Sequence, residues 1–253
     1  MNDHQHSPNT SREVDEHRRN FIGASAALAG LTVAPGVVVY GLAHAKPEAE
    51  PVTNKKRWGM LVDAVKCAEG CTDCVTACHT ENAIISGPLE TDSHWIRKVE
   101  LKDTRTSRTQ SLPVMCQHCD DAPCVDVCPT GASFKRADGI VLVNMHTCIG
   151  CRYCVMACPY KARSFNHETI TDQNPDVPRG KGCVESCTMC VHRVDRDQQP
   201  ACVEACSQAG HNAIIFGDLN DPNSDIAKRV SGQPSSQLRA DLALNPGVRY
   251  QGL

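Results

Sequence analysis

A chain of 253 residues with a net charge of −3, its Lys and Arg spread along the length, offers no basic stripe to a phosphate backbone, which excludes nucleic acid as a partner. Aromatic residues make up only 4 %, too few to fill a core of this size with large side chains, whereas 17 cysteines are present. What those cysteines hold decides the fold.

Residues 1–45 read as an export signal. A polar start, Met1 to His17, leads into Arg18-Arg19-Asn20-Phe21, an Ala/Gly/Val-rich run from Ile22 to Val39, and then Ala43-His44-Ala45. Paired arginines before a mild apolar run mark the twin-arginine type, and the small-residue triplet gives a mature start at Lys46. His17 departs from the pattern, in which Ser or Thr is usual. Gly30, Pro35, Gly36 and Gly41 dilute the run, which argues against a membrane anchor, because spanning takes about 20 predominantly apolar residues. Residues 46–56, with two prolines and mixed charge, read as a linker. An oxidising compartment pairs bare cysteines, and the resemblance to twin-arginine signals implies folding and cofactor loading before export.

The cysteines fall in four blocks: Cys67, Cys71, Cys74, Cys78; Cys116, Cys119, Cys124, Cys128; Cys148, Cys151, Cys154, Cys158; and Cys183, Cys187, Cys190, Cys202, Cys206. The third block, closed by Pro159, is the C-x2-C-x2-C-x3-C-P run of bacterial ferredoxins, in which three thiolates wrap one 4Fe-4S cluster and the fourth serves the other cluster of a pair. The second block has the same ending at Cys128-Pro129 with a longer middle gap. Exchange of the fourth thiolate then assigns Cys116, Cys119, Cys124 and Cys158 to one cluster, and Cys148, Cys151, Cys154 and Cys128 to its neighbour. The outer blocks repeat the logic at greater separation. They give Cys67, Cys71, Cys74 and Cys206 to one cluster and Cys187, Cys190, Cys202 and Cys78 to another, with His79 and Ser207 where the inner blocks carry proline. Cys183 is left over and reads as a free or structural thiol; the rival is that it replaces a neighbour as ligand.

Other uses of cysteine fit less well. Zinc ribbons want two C-x2-C pairs per site and gain nothing from a third Cys followed by C-P. Neighbours two residues apart are poorly placed for disulfides. Covalent haem requires C-x-x-C-H, which is absent. His79, His118 and His192 lie beside the blocks without forming a ligand pattern. No nucleophile elbow, phosphate loop or dinucleotide fingerprint is present, so the chain is expected to perform no substrate chemistry of its own.

Short strands are expected at Gly59 to Val62, Trp95 to Leu101, Ile140 to Asn144 and Ala213 to Phe216. Single helical turns are expected at Val75 to Cys78, Val125 to Cys128, Val155 to Cys158 and Val203 to Cys206. These elements imply an α+β fold, loop-rich, with two ferredoxin-like lobes organised around four 4Fe-4S clusters. The outer lobe takes residues 57–110 and 180–225, the inner lobe 111–179, and 226–253 form a C-terminal extension. Lys135, Arg136, Arg152, Lys161 and Arg163 fall near the inner pair and are candidates to raise its potentials.

The four-block pattern resembles the four-cluster ferredoxin-like electron-transfer subunits of bacterial respiratory oxidoreductases, among them those of dimethyl sulfoxide, polysulfide and nitrite reductases. The resemblance covers about residues 55–253. It rests on Asp63-Ala64-Val65-Lys66-Cys67, Cys116-Gln117-His118-Cys119, Cys148-Ile149-Gly150-Cys151, Cys158-Pro159-Tyr160 and the tail Asn245-Pro246-Gly247-Val248-Arg249-Tyr250. Within that family, Gly180-Lys181-Gly182-Cys183 and Gly217-Asp218-Leu219-Asn220-Asp221 are similar to the periplasmic branch found in transmembrane complexes of dissimilatory sulfur metabolism. The resemblance implies docking onto an integral membrane quinone-reactive subunit and a multihaem cytochrome subunit. The alternative is the electron-transfer subunit of a periplasmic molybdopterin oxidoreductase. An exported, disulfide-rich binding protein stands as a reading of a different class.

Overall fold

The computed structural model describes residues 52–85 and 91–253; the export signal read at 1–45 and the start of the linker lie outside the described residues. Residues Glu50–Leu253 cluster as one unit. Its central strand, β1 (Trp58–Asp63), has four consecutive buried residues from Gly59 to Val62, the pattern of a strand covered on both faces. β1 runs antiparallel to β8 (Ile214–Asp218) and parallel to β9 (Val248–Gln251), so that Met60 pairs with both Phe216 and Val248. The 226–253 segment therefore returns a strand to the sheet beside the first one.

The remaining strands form two-stranded ribbons. β2 (Ile96–Lys102) pairs antiparallel with β3 (Thr109–Met115). β3 was not expected from its sequence, since Thr, Gln, Ser and Pro113 dilute the alternation; a ribbon has only edge strands, where a proline is tolerated. β4 (Ser133–Lys135) and β5 (Val141–Val143) flank the turn at Ala137-Asp138-Gly139, with Gly139 at φ 88°. β6 (Ser164–Phe165) pairs with β7 (Val184–Glu185).

Each expected helical turn is present, and the residue after its last cysteine governs its length. α2 (Pro123–Asp126) and α3 (Tyr153–Ala157) stop short of Cys128-Pro129 and Cys158-Pro159, because the residue before a proline is pushed out of the helical region; Cys158 is extended, at φ −74° and ψ 112°. His79 and Ser207 lift that restriction. α1 (Asp73–Glu81) and α5 (Ala201–Gln208) accordingly run past Cys78 and Cys206 and pack against each other. α4 (Val191–Val194) follows Cys190, and α6 (Asp225–Gly232) is capped by Ser224, whose Oγ accepts from the Ala227 N–H at 3.1 Å. Among the described residues no helix is long and apolar enough to cross a membrane.

One contiguous apolar core contains Met60, Trp95, Met115, Ile140 and Tyr250 together with buried cysteines from all four blocks. A buried ion pair braces its edge. Arg179 donates from Nη2 and Nε to the Glu185 carboxylate at 2.5 and 2.9 Å and from Nη1 to the Ala83 carbonyl at 2.6 Å, joining the loop before β7 to the end of α1. Removing one partner of such a pair leaves a buried charge uncompensated, so Glu185→Ala is expected to cost about 3–5 kcal/mol. Denaturant unfolding of the cofactor-loaded protein measures it, and an unchanged midpoint would contradict the bracing role.

Candidate metal centre

The cysteine loops bend through backbone conformations that few residues adopt. Gly150, in the Cys148–Cys151 loop, has φ +70°, and a Cβ there would collide with the Gly182 carbonyl oxygen and press on Phe165 at 3.1 Å. The loop thus needs glycine twice over, for its left-handed turn and for the close approach of the segment before β7. Arg152 and Cys190, immediately before α3 and α4, are also left-handed. These turns direct successive cysteines toward common points.

Cys67, Cys71, Cys74 and Cys206 line one cavity, enclosed also by Lys98 and His211. A second is lined by Cys78, Cys187, Cys190 and Cys202, and a third by Cys128, Cys148, Cys151 and Cys154. The three are nearly equal, with about 280, 290 and 270 Å³ of space free of protein atoms, open solvent at the mouth included. Cys116, Cys119, Cys124 and Cys158 form a further group, close enough that each of the other three thiolates would repel that of Cys119.

The groups are also neighbours of one another. Cys74 lies within electrostatic reach of Cys202, Cys187 of Cys116, and Cys124 of Cys154. In space the order is therefore the Cys67 group, the Cys78 group, the Cys116 group and the Cys128 group, so the group drawn mainly from the fourth block lies between those drawn mainly from the first and second. Every cysteine of the two middle groups is buried. At the ends, Cys67, Cys71, Cys128 and Cys148 are half-buried and Cys151 is exposed.

The chemistry of these groups suits a cation. All the cysteines are free, and burial pushes the Cys74 thiol up to about 11 and the Cys116 and Cys119 thiols up to about 12. Burial raises Cys78, Cys187 and Cys202 as well, and neighbouring cysteines add to the rise. Thiolates crowded in apolar surroundings are stable only against a metal, which deprotonates its thiol ligands. Backbone N–H groups already point at several sulfurs: Ser133 at Cys128, 3.4 Å; Ala162 at Cys158, 3.5 Å; Met189 at Cys187, 3.4 Å; and Ala213 at Cys206, 3.3 Å. Four-thiolate cages with peptide N–H donors fit the ligation of 4Fe-4S clusters.

Residues 107–218 match the model of a 4Fe-4S dicluster domain. The chain is 40 % identical over 93 % of its length, and 98 % of the relative, to the Hdr-like menaquinol oxidoreductase iron-sulfur subunit 1 of Archaeoglobus fulgidus. It is 37 % identical to a tetrathionate reductase subunit of Salmonella typhimurium, covering 96 % of the chain and 91 % of the relative. Protein NrfC of Escherichia coli is 35 % identical, covering 90 % and 92 %. The chain belongs to the family of 4Fe-4S iron-sulfur subunits of respiratory oxidoreductases.

As a member of that family it is an electron-transfer subunit of a membrane-associated oxidoreductase complex. In this iron-sulfur protein the histidines beside the cysteine loops have other tasks. His192 Nε2 lies 2.7 Å from Glu81 Oε1. His118 Nδ1 accepts from the Val141 N–H at 3.0 Å, which puts the ring proton on Nε2, and burial and the nearby Arg163 hold its pKa down at about 3. Two residues at the first cavity escaped the sequence reading: Lys98, whose Nζ donates to the Ala68 and Cys71 carbonyls at 2.9 Å, and His211, grouped with Cys71 and Asp73. Lys98 lies far along the chain from any cysteine block, and His211 has no ligand spacing to mark it.

Cys183 is buried beside Cys148, and its Sγ donates to the Met145 carbonyl at 3.4 Å. It is not among the residues lining the Cys128 cavity. Cys183→Ser is therefore expected to keep the full iron and acid-labile sulfide content, whereas Cys148→Ser is expected to lower both. Iron analysis of the two purified variants checks this; equal losses would make Cys183 a ligand.

Proposed function

We propose that the chain holds four 4Fe-4S clusters and conducts electrons along them as the periplasmic subunit of a membrane-bound respiratory complex of dissimilatory sulfur metabolism, a role of the DsrO type. The ligand sets are Cys67, Cys71, Cys74 and Cys206 for cluster 1; Cys116, Cys119, Cys124 and Cys158 for cluster 2; Cys128, Cys148, Cys151 and Cys154 for cluster 3; and Cys78, Cys187, Cys190 and Cys202 for cluster 4. The observation that carries the reading is the contiguity of the four cysteine groups, which supports a path in the order 1, 4, 2, 3. Half-buried or exposed cysteines at both ends of that path, and fully buried ones between, suit entry and exit at clusters 1 and 3.

The partners are an integral membrane quinone-reactive subunit and a multihaem cytochrome subunit, with the twin-arginine signal at 1–45 directing a preloaded protein across the membrane. Likeness to a menaquinol oxidoreductase subunit supports the quinone-linked partner. Likeness to a tetrathionate reductase subunit favours a second reading, in which the partner is a catalytic molybdopterin subunit. Purification of the complex from membranes separates the two. Recovery of cytochrome and membrane subunits supports the first reading, and recovery of a large molybdenum subunit replaces it.

The purified chain is expected to hold about 16 iron atoms and about 16 acid-labile sulfides, as four cubanes require. Because cysteines form part of the same core as the apolar side chains, stripping the iron with a chelator is expected to abolish the cooperative thermal melt seen by circular dichroism. An iron-free sample that melts cooperatively would overturn the structural role of the clusters.

A further inference from the structure

Two arginines of the described region are almost fully buried, and they differ in one respect. Arg179, 6 % exposed, is neutralised by Glu185. Arg163, 5 % exposed, has no carboxylate partner: Nη2 donates to Ser133 Oγ at 2.8 Å, while Nε and Nη1 are buried with no oxygen or nitrogen acceptor and only the sulfurs of Cys124 and Cys154 within interacting reach of the guanidinium. An isolated guanidinium in such surroundings is strongly disfavoured unless an anion compensates it, and each N–H left unpaired carries its own desolvation penalty. Its ionisable neighbours are Cys116, Cys124 and Cys154, drawn from two different cysteine groups.

The other cations read from the sequence as neighbours of this pair are matched by acids or open to water. Lys135 is paired with Asp120 at 2.7 Å, and Arg136 with Asp138 and Asp195 at 2.6 and 2.8 Å. Arg152 lies over the Phe165 ring at 4.7 Å, and Lys161 is exposed. Arg163 alone among these five combines burial, an uncompensated charge and free donors.

We propose that Arg163 is the shared counter-charge of clusters 2 and 3 and sets their reduction potentials above the values a neutral residue would allow. The inference rests on the four-cluster reading given above. A cubane held by four thiolates is anionic in both of its working states and more so after it accepts an electron. A fixed positive charge in a low-dielectric site stabilises the reduced form more than the oxidised form, and N–H donors to sulfur act in the same direction. Arg163 sits where one charge serves two adjacent stations of the electron path, at the junction with the end whose cysteine is exposed. It is a positioning residue for the electron and touches no substrate.

The test is a redox titration of the intact wild-type protein, Arg163→Gln and Arg163→Lys, followed by electron paramagnetic resonance, with the signals of clusters 2 and 3 assigned through Cys119→Ser and Cys151→Ser. In Arg163→Gln the potentials of clusters 2 and 3 are expected to fall while those of clusters 1 and 4 stay in place, and Arg163→Lys is expected to lie closer to wild type. Unmoved potentials in clusters 2 and 3, or an equal fall in all four, would overturn the assignment. If Arg163→Gln loses iron, retention by Arg163→Lys supports the counter-charge and loss by both overturns it in favour of packing. A wild-type iron content far below about 16 per chain would instead overturn the four-cluster reading itself.

Discussion

The whole structure depends on bringing cysteines from segments far apart in the chain into four tight groups, whose thiols stay protonated by themselves and become thiolates against a metal. Apolar burial alone disfavours the thiolate form, and it lifts the thiols of Cys74, Cys116 and Cys119 far above the ordinary cysteine range. The same side chains occupy core space between Met60, Trp95, Met115 and Ile140. Iron-sulfur ligation therefore serves folding and electron transfer together. Small strands such as β6 and β7, two residues each, have no independent stability and depend on the packing of the loops they join.

Helix length is tuned around that requirement. A proline after the last cysteine releases the chain at once from α2 and α3, so the middle of the protein turns sharply. Without that proline α1 and α5 continue, and their mutual packing gives the region around Cys78 and Cys206 a helical wall that the Cys128 region lacks. Cys78 and Cys206 are buried, as is Cys158, whereas Cys128 is half-buried.

Charge inside the fold follows the same rule of compensation. Arg179 and Glu185 cancel each other, and Lys135 and Arg136 are matched by carboxylates near the surface. Against that background Arg163 stands out as a buried guanidinium without a carboxylate partner. Its neighbours, Cys116, Cys124 and Cys154, come from two separate cysteine loops, and the proposed counter-charge role rests on that placement.

The sequence by itself determined the chemistry. The C-x2-C-x2-C spacing and the trailing prolines are local features, and they mark the candidate ligands and the short helical turns that follow them. Strands with clear apolar runs, such as Gly59 to Val62 and Ala213 to Phe216, were legible for the same reason, while the polar β3 was not. Tertiary structure alone decided the spatial succession of the four groups, the return of β9 to the side of β1, the arrival of Lys98 and His211 at the first cavity and the isolation of Arg163. Each of these depends on contacts between segments far apart in the chain, whose register is fixed by packing and leaves no trace in local spacing.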